Sequence, residues 1–159
     1  MSAIAREVIV ATTACVAGGF LAWLYFSNNK KLRLVDTPTA SPAGGHYSQA
    51  VIHGGLVYVS GLLPVTPMGE KLNNDSFELQ TTMVLSNLKA ILKASGSSLQ
   101  NVISVRVYIA DIEQWGAFNK IYVRAFESHK PARAVVPVPC LHYGFQLEVE
   151  AVAALHSLY

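Results

Sequence analysis

Between Gln49 and Ala154 the apolar positions change period several times, and each change marks an element. Gln49–Ile52 and Leu56–Ser60 alternate as short strands, and His53, Gly54 and Gly55 between them predict a hairpin turn. After a loop rich in Pro, Gly and Asn, the residues Val84, Leu88, Ile91 and Leu92 follow the i, i+4, i+7, i+8 spacing of one buried helix stripe. Asp75 with Glu78 has capping-box spacing at its start, and Gly96 supplies the stop. Val102–Ala110 is a β-branched strand. Asp111, with Gln114 three residues on, is placed to cap a second helix running through Glu127, with Trp115, Phe118, Tyr122, Ala125 and Phe126 as its buried stripe. Two further strands follow: an apolar run Ala134–Val138 just after Arg133, and an alternating run Gln146–Ala154, joined through Leu141–Phe145. Pro137 and Pro139 restrict the first of these to a ladder along one edge. The order β-β-α-β-α-β-β predicts an α+β layer, a mostly antiparallel sheet with two helices on one face.

The N-terminal pattern differs. Val8–Phe26 is 19 residues without a charge, and a helix of that length spans about 28 Å, close to the ~30 Å hydrocarbon core of a bilayer. Trp23, Tyr25 and Phe26 end it, followed by Lys30, Lys31 and Arg33. The expectation is a single transmembrane helix, retained as an anchor, with the basic side and the downstream domain facing the cytoplasm. Leu34–Gly45, rich in Thr, Pro, Ser, Ala and Gly, is expected to be a linker. The division is therefore 1–33 anchor with basic flank, 34–45 linker and 46–159 globular domain.

Charge and composition narrow the chemistry. The chain carries 12 basic and 10 acidic residues, but from Asp36 onward eight basic residues face nine acidic ones, a formal charge of −1. A near-neutral domain without a Lys/Arg cluster lacks the electrostatic footprint of a nucleic-acid binder. Cys15 and Cys140 form no disulfide framework, and no His or Cys spacing suggests a metal site, so none is expected.

Three charges are set into runs that usually exclude them: Arg133, Glu148 and Glu150. In a strand, Gln146, Glu148 and Glu150 share one face. That face is either solvent or a site, and the residue types suit a site for a carboxylate-bearing molecule, with Arg133 and Glu148 making it together. A guanidinium offers two parallel charge-assisted hydrogen bonds to a carboxylate. A partly buried glutamate with a raised pKa can move protons to and from water.

The strings GGHYSQAVIHGGLVYVSGLLP, FELQTTMVLSNLKAIL, NVISVRVYIADIEQWGAFNKIY and HKPARAVVPVP with LEVEAVAA occur in register over about 115 residues, Gly44–Ala154. Together they resemble the RidA family, also called YjgF/YER057c/UK114. The resemblance implies a chorismate-mutase-like fold and a homotrimer with three sites in clefts between subunits. It implies hydrolysis of reactive enamines and imines, notably 2-aminoacrylate and 2-iminopropionate, to 2-keto acids and ammonia without a cofactor. By the same resemblance Arg133 matches the arginine that clamps the substrate carboxylate, and Glu148 the glutamate that positions or activates water. Tyr47, Ser60 with Gly61, and Asn119 match positions that line the pocket and bind substrate, while Glu150 is read as structural. His46, Leu62, Val135 and Val136 depart from the family pattern, which points to a more apolar pocket. The competing reading is a non-enzymatic, trimeric metabolite-binding or chaperone-like module at a membrane.

Overall fold

The computed structural model describes residues 31–156. The Val8–Phe26 segment expected to cross a membrane, and with it the expected orientation, lies outside those residues. Among the described residues no helix is long and apolar enough to span a bilayer. The compact unit begins at Arg33. Its strands are β1 Arg33–Val35, β2 Ala50–His53, β3 Leu56–Leu62, β4 Val102–Ile109, β5 Ala132–Pro137 and β6 Leu147–Ala154, and its helices are α1 Phe77–Ser95 and α2 Trp115–Phe126.

The strands form one six-stranded sheet in the order β1-β2-β3-β6-β4-β5. Every pairing is antiparallel except β4 with β5. That exception follows from connectivity, because α2 carries the chain back over the sheet and parallel neighbours need such a crossover. β6, last in sequence, lies between β3 and β4. Its alternation is complete: Leu147, Val149, Ala151 and Ala153 are buried, and the residues between them are partly exposed. The buried face meets Val84, Leu88, Ile91 and Leu92 of α1 and Phe118, Tyr122 and Phe126 of α2 in one core. Full burial of each large side chain stabilises by about 1.5–3 kcal/mol, which holds both helices on this single face.

Four expectations need correction. Residues 34–45 are part of the fold and not a linker: Leu34 and Val35 pair with Val51 and Ala50, while Val35 and Ala40 are buried. The Pro- and Ser-rich composition suggested a spacer, but distant side chains satisfy its backbone. Thr37 N–H donates to Gln49 Oε1 (2.7 Å), Gln49 Nε2 donates to Ser41 O (2.8 Å), and Ser41 N–H donates to Asn87 Oδ1 (3.2 Å). The cap of α1 is Ser76, whose Oγ accepts from Leu79 N–H, and not Asp75. The Asp75 carbonyl instead accepts from Gln80 Nε2 (3.0 Å). Asp111 caps a short 3₁₀ turn, Ile112–Gln114, and α2 begins only at Trp115. Trp115 consequently stands 45% exposed and outside the buried stripe. The stop at Gly96 (φ 83°) is as predicted, with Gly96 N–H donating to Lys93 O and Ser97 N–H to Leu92 O.

Candidate functional site

Arg133 lies opposite Val105, and Val105 opposite the buried Ala151, so its side chain leaves the sheet on the helix-covered face. There Nη2 donates to Asn119 Oδ1 at 3.0 Å. The guanidinium carbon sits 4.5 Å from the centroid of the Tyr122 ring and 5.7 Å from that of Phe118. Tyr122 in turn stacks on Phe126 at 4.2 Å. Burial pushes the Tyr122 phenol up to about 12, with Arg133 opposing the shift. The hydroxyl has no protein hydrogen-bond partner among the described residues. The result is a guanidinium held over an aromatic ring and tied at one nitrogen, at the edge of a cavity of about 360 Å³ lined also by Glu127 and Lys130. A fork fixed in this way can present its remaining donors to a carboxylate at little entropic cost.

Glu148 lies opposite Tyr108, one position out of phase with the core-facing residues, and leaves the sheet on the helix-free face. It enters a cleft of about 340 Å³ lined by Tyr47, Ser60, Gly61, Leu63, His142 and Tyr143. A bulge places Ser60 and Gly61 there: between the pairs Val59–Ala151 and Leu62–Val149 the register shifts, with β3 advancing three residues and β6 two. Gly61 is thereby pressed against the Glu148 carboxylate, and a Cβ at this position would collide with Oε1. Ser60 Oγ donates to Ser48 O (2.7 Å), which fixes the strand entry beside Tyr47. The Tyr47 oxygen accepts from Gly44 N–H (3.0 Å), leaving its own proton to give. Burial raises the Glu148 pKa, and nearby Glu150 adds to the rise, while His142 works against it.

Glu150, next on the same face, is engaged structurally: it accepts from Arg106 Nη1 (2.8 Å) and from Tyr108 OH (3.1 Å). This side-chain hydrogen bond, with the charge behind it, raises the pKa of Arg106 and of Tyr108.

The structure thus groups the predicted residues in two sets. Tyr47, Ser60 and Gly61 surround Glu148; Asn119 holds Arg133. Arg133 and Glu148, expected to make one site, are not brought together within one chain, because β5 sets Arg133 in register with core-facing Val105 and β6 sets Glu148 in register with outward Tyr108. Of the departures from the family pattern, Leu62 is buried in the core, Val135 packs against it, and His46 is exposed. Tyr122 belongs to the predicted buried stripe, yet its spacing of three from Asn119 places both on one side of α2 beneath Arg133. His142 and Tyr143, on the loop before the glutamate, border the Glu148 cleft, and Lys71 borders the cavity beside it, without any periodic signal to mark them. Among the described residues no group of three or more His, Cys, Asp or Glu could hold a metal ion.

An α+β sheet with two helices on one face, a preset arginine on that face and a half-buried glutamate on the other define the class. The chain belongs to the Endoribonuclease L-PSP family, whose profile matches residues 37–155, and this is the RidA/YjgF family of the sequence resemblance. Protein HMF1 of Saccharomyces cerevisiae is 40% identical over 116 residues, 73% of this chain and 89% of that protein. The 2-iminobutanoate/2-iminopropanoate deaminase of Homo sapiens is 37% identical over 121 residues, 76% of this chain and 88% of that protein. The crystal structure of yeast Mmf1 superposes with a TM-score of 0.76 at 39% identity, covering 79% of this chain and 100% of that one.

Proposed function

We propose that this chain is a hydrolytic deaminase of reactive enamine and imine intermediates of the 2-aminoacrylate/2-iminopropionate type, releasing a 2-keto acid and ammonia. The observation that carries the reading is the pairing of a preset carboxylate clamp, Arg133 on Tyr122 and Asn119, with a half-buried Glu148 whose pKa is raised by burial. The human relative named as a 2-iminobutanoate/2-iminopropanoate deaminase supports it. The two half-sites are complementary, and the arrangement that uses both places the Arg133 side of one copy against the Glu148 side of the next, as in a closed homotrimer with three sites. Light scattering on the purified chain tests that assembly.

In the proposed reaction Arg133 binds the substrate carboxylate and fixes the plane of the C=N bond. Glu148 takes a proton from water as the water oxygen bonds to the imine carbon, and the imine nitrogen gains a proton. As the carbinolamine collapses, the nitrogen receives the proton held by Glu148 and the C–N bond breaks to release ammonia, while the carbinolamine hydroxyl returns a proton to solvent as the carbonyl forms, balancing the one the imine nitrogen took up from solvent. An enamine substrate first becomes the imine by gaining a proton at carbon and losing one from nitrogen to solvent. Tyr47 and Ser60 supply a hydroxyl donor and acceptor at the cleft wall. General-base help of this kind contributes about 10²–10⁴-fold. A formal charge of −1 from Asp36 onward favours a small carboxylate over a phosphate backbone as ligand. Val8–Phe26 is part of the same proposal, as a membrane tether with the domain on the cytoplasmic side; partition of the full chain into the membrane pellet after alkaline extraction tests it.

The central experiment measures keto-acid release from 2-aminoacrylate generated in situ by a dehydratase. Acceleration by the full chain that disappears in Arg133→Ala and Glu148→Ala is the expected result. Equal rates with parent and both variants would overturn the reading and leave a binding module in its place.

A further inference from the structure

Glu127 (φ 55°) and Tyr143 (φ 59°) are the only two non-glycine residues with positive φ among the described residues, and each lines one of the two half-site cavities. A non-glycine residue in the left-handed region costs on the order of 1–3 kcal/mol and persists where the surroundings impose it. For Tyr143 the surroundings are specific. Lys71 Nζ stands 4.3 Å from the ring centroid, and Phe145 meets the ring edge-on at 5.9 Å. These contacts fix the ring without burying it, for Tyr143 is 59% exposed. It lines the Glu148 cleft and also the adjoining cavity, where Lys71, Gly69 and Val65 complete the wall.

A braced, strained and largely exposed aromatic ring beside the reacting carboxylate is a surface prepared for contact. With Arg133 taking the substrate carboxylate and Glu148 the water, the part of the substrate left to face this wall is its side chain. In one chain the cleft measures about 340 Å³, and Tyr143 stands in its wall with Leu63 and His142 beside it. Resting on the deaminase reading, we propose that Tyr143, braced by Lys71, receives the substrate side chain and selects imines bearing a planar apolar group, the class formed from aromatic amino acids, over the three-carbon imine.

The test uses the full chain and imines generated in situ by an amino-acid oxidase from phenylalanine, alanine and glutamate, with kcat/KM measured for each. One stacked aromatic pair corresponds to a factor of about two to ten. The parent chain is expected to favour the phenyl imine over the three-carbon imine by about tenfold. Tyr143→Gly, which suits the positive φ and removes the ring without adding strain, is expected to bring that ratio to about unity, and Tyr143→Phe to restore it. An unchanged ratio in Tyr143→Gly, or a parent preference for the acidic imine, overturns the assignment while leaving the deaminase intact. Acceleration of no imine at all would remove the deaminase reading itself, and with it this one.

Discussion

Gly61→Ala separates the working of the Glu148 cleft from the stability of the fold. A Cβ at position 61 would collide with Glu148 Oε1 and lie 3.0 Å from Cδ. Returning Cδ to an ordinary contact of ~3.5–4 Å requires it to move about 0.5–1 Å, and Oε1 by more. The obstructing atoms are the far end of a flexible side chain, and Gly61 is outside the left-handed region, so the backbone accommodates alanine. Replacing a strand glycine returns about 0.5–1 kcal/mol of unfolded-state entropy, which offsets the cost of turning the carboxylate. The melting temperature should therefore stay within a few degrees of the parent. Activity should not: a misplacement near 1 Å costs about 10²-fold, equivalent to about 2.7 kcal/mol of transition-state stabilisation. The assay is kcat/KM for keto-acid release beside a thermal melt, in Gly61→Ala, Glu148→Ala and the double variant. Because both changes act on one group, the double variant should be no slower than Glu148→Ala alone. Full activity in Gly61→Ala, or losses that multiply in the double variant, would refute the reasoning.

Other perturbations test the remaining parts. The raised Glu148 pKa means that, as a base, Glu148 loses its ionised form as pH falls through a value above that of a free glutamate, so the acid limb of kcat/KM should lie above that value; His142→Gln, which removes the neighbour that works against the rise, should move the limb higher still. For stability the sign is opposite. The fold favours protonated Glu148, so its contribution is full below the unfolded carboxyl value near ~4.3 and is lost as pH rises through the folded value; Glu148→Gln should raise the neutral-pH melting temperature while abolishing turnover. Tyr122→Leu should raise KM several-fold by removing the ring beneath Arg133, whereas Tyr122→Phe should keep KM and stabilise slightly by deleting a buried hydroxyl that lacks a protein partner. Ser76→Ala should cost about 1 kcal/mol in a denaturant titration without changing kcat/KM.

What the sequence made legible was local. The alternation of 147–154, the β-branched run of β4 and the stripe of α1 each exclude other structures over a few residues, and the elements they predict lie within a position or two of those observed. Residues 34–45 escaped because the groups that anchor them, Gln49 and Asn87, lie 12 and 46 positions from their backbone partners. The division of the candidate site escaped for a related reason. Period two shows that Arg133 and Val135 share a face, but which face is set by pairing with β4, and that pairing arises only when α2 folds over the sheet. Tyr143 carries no periodicity because its role depends on a single strained turn and on Lys71, 72 positions away.

The placement of Arg133 and Glu148 on opposite faces has a genetic corollary. If neighbouring copies complete each other's sites, a chain lacking Arg133 and a chain lacking Glu148 are each inactive alone, yet every contact between an intact Glu148 side and an intact Arg133 side rebuilds a working site. Random co-assembly of equal amounts leaves about one site in four whole. Two null alleles of this kind would complement in a cell expressing both, and two alleles damaged on the same side would not.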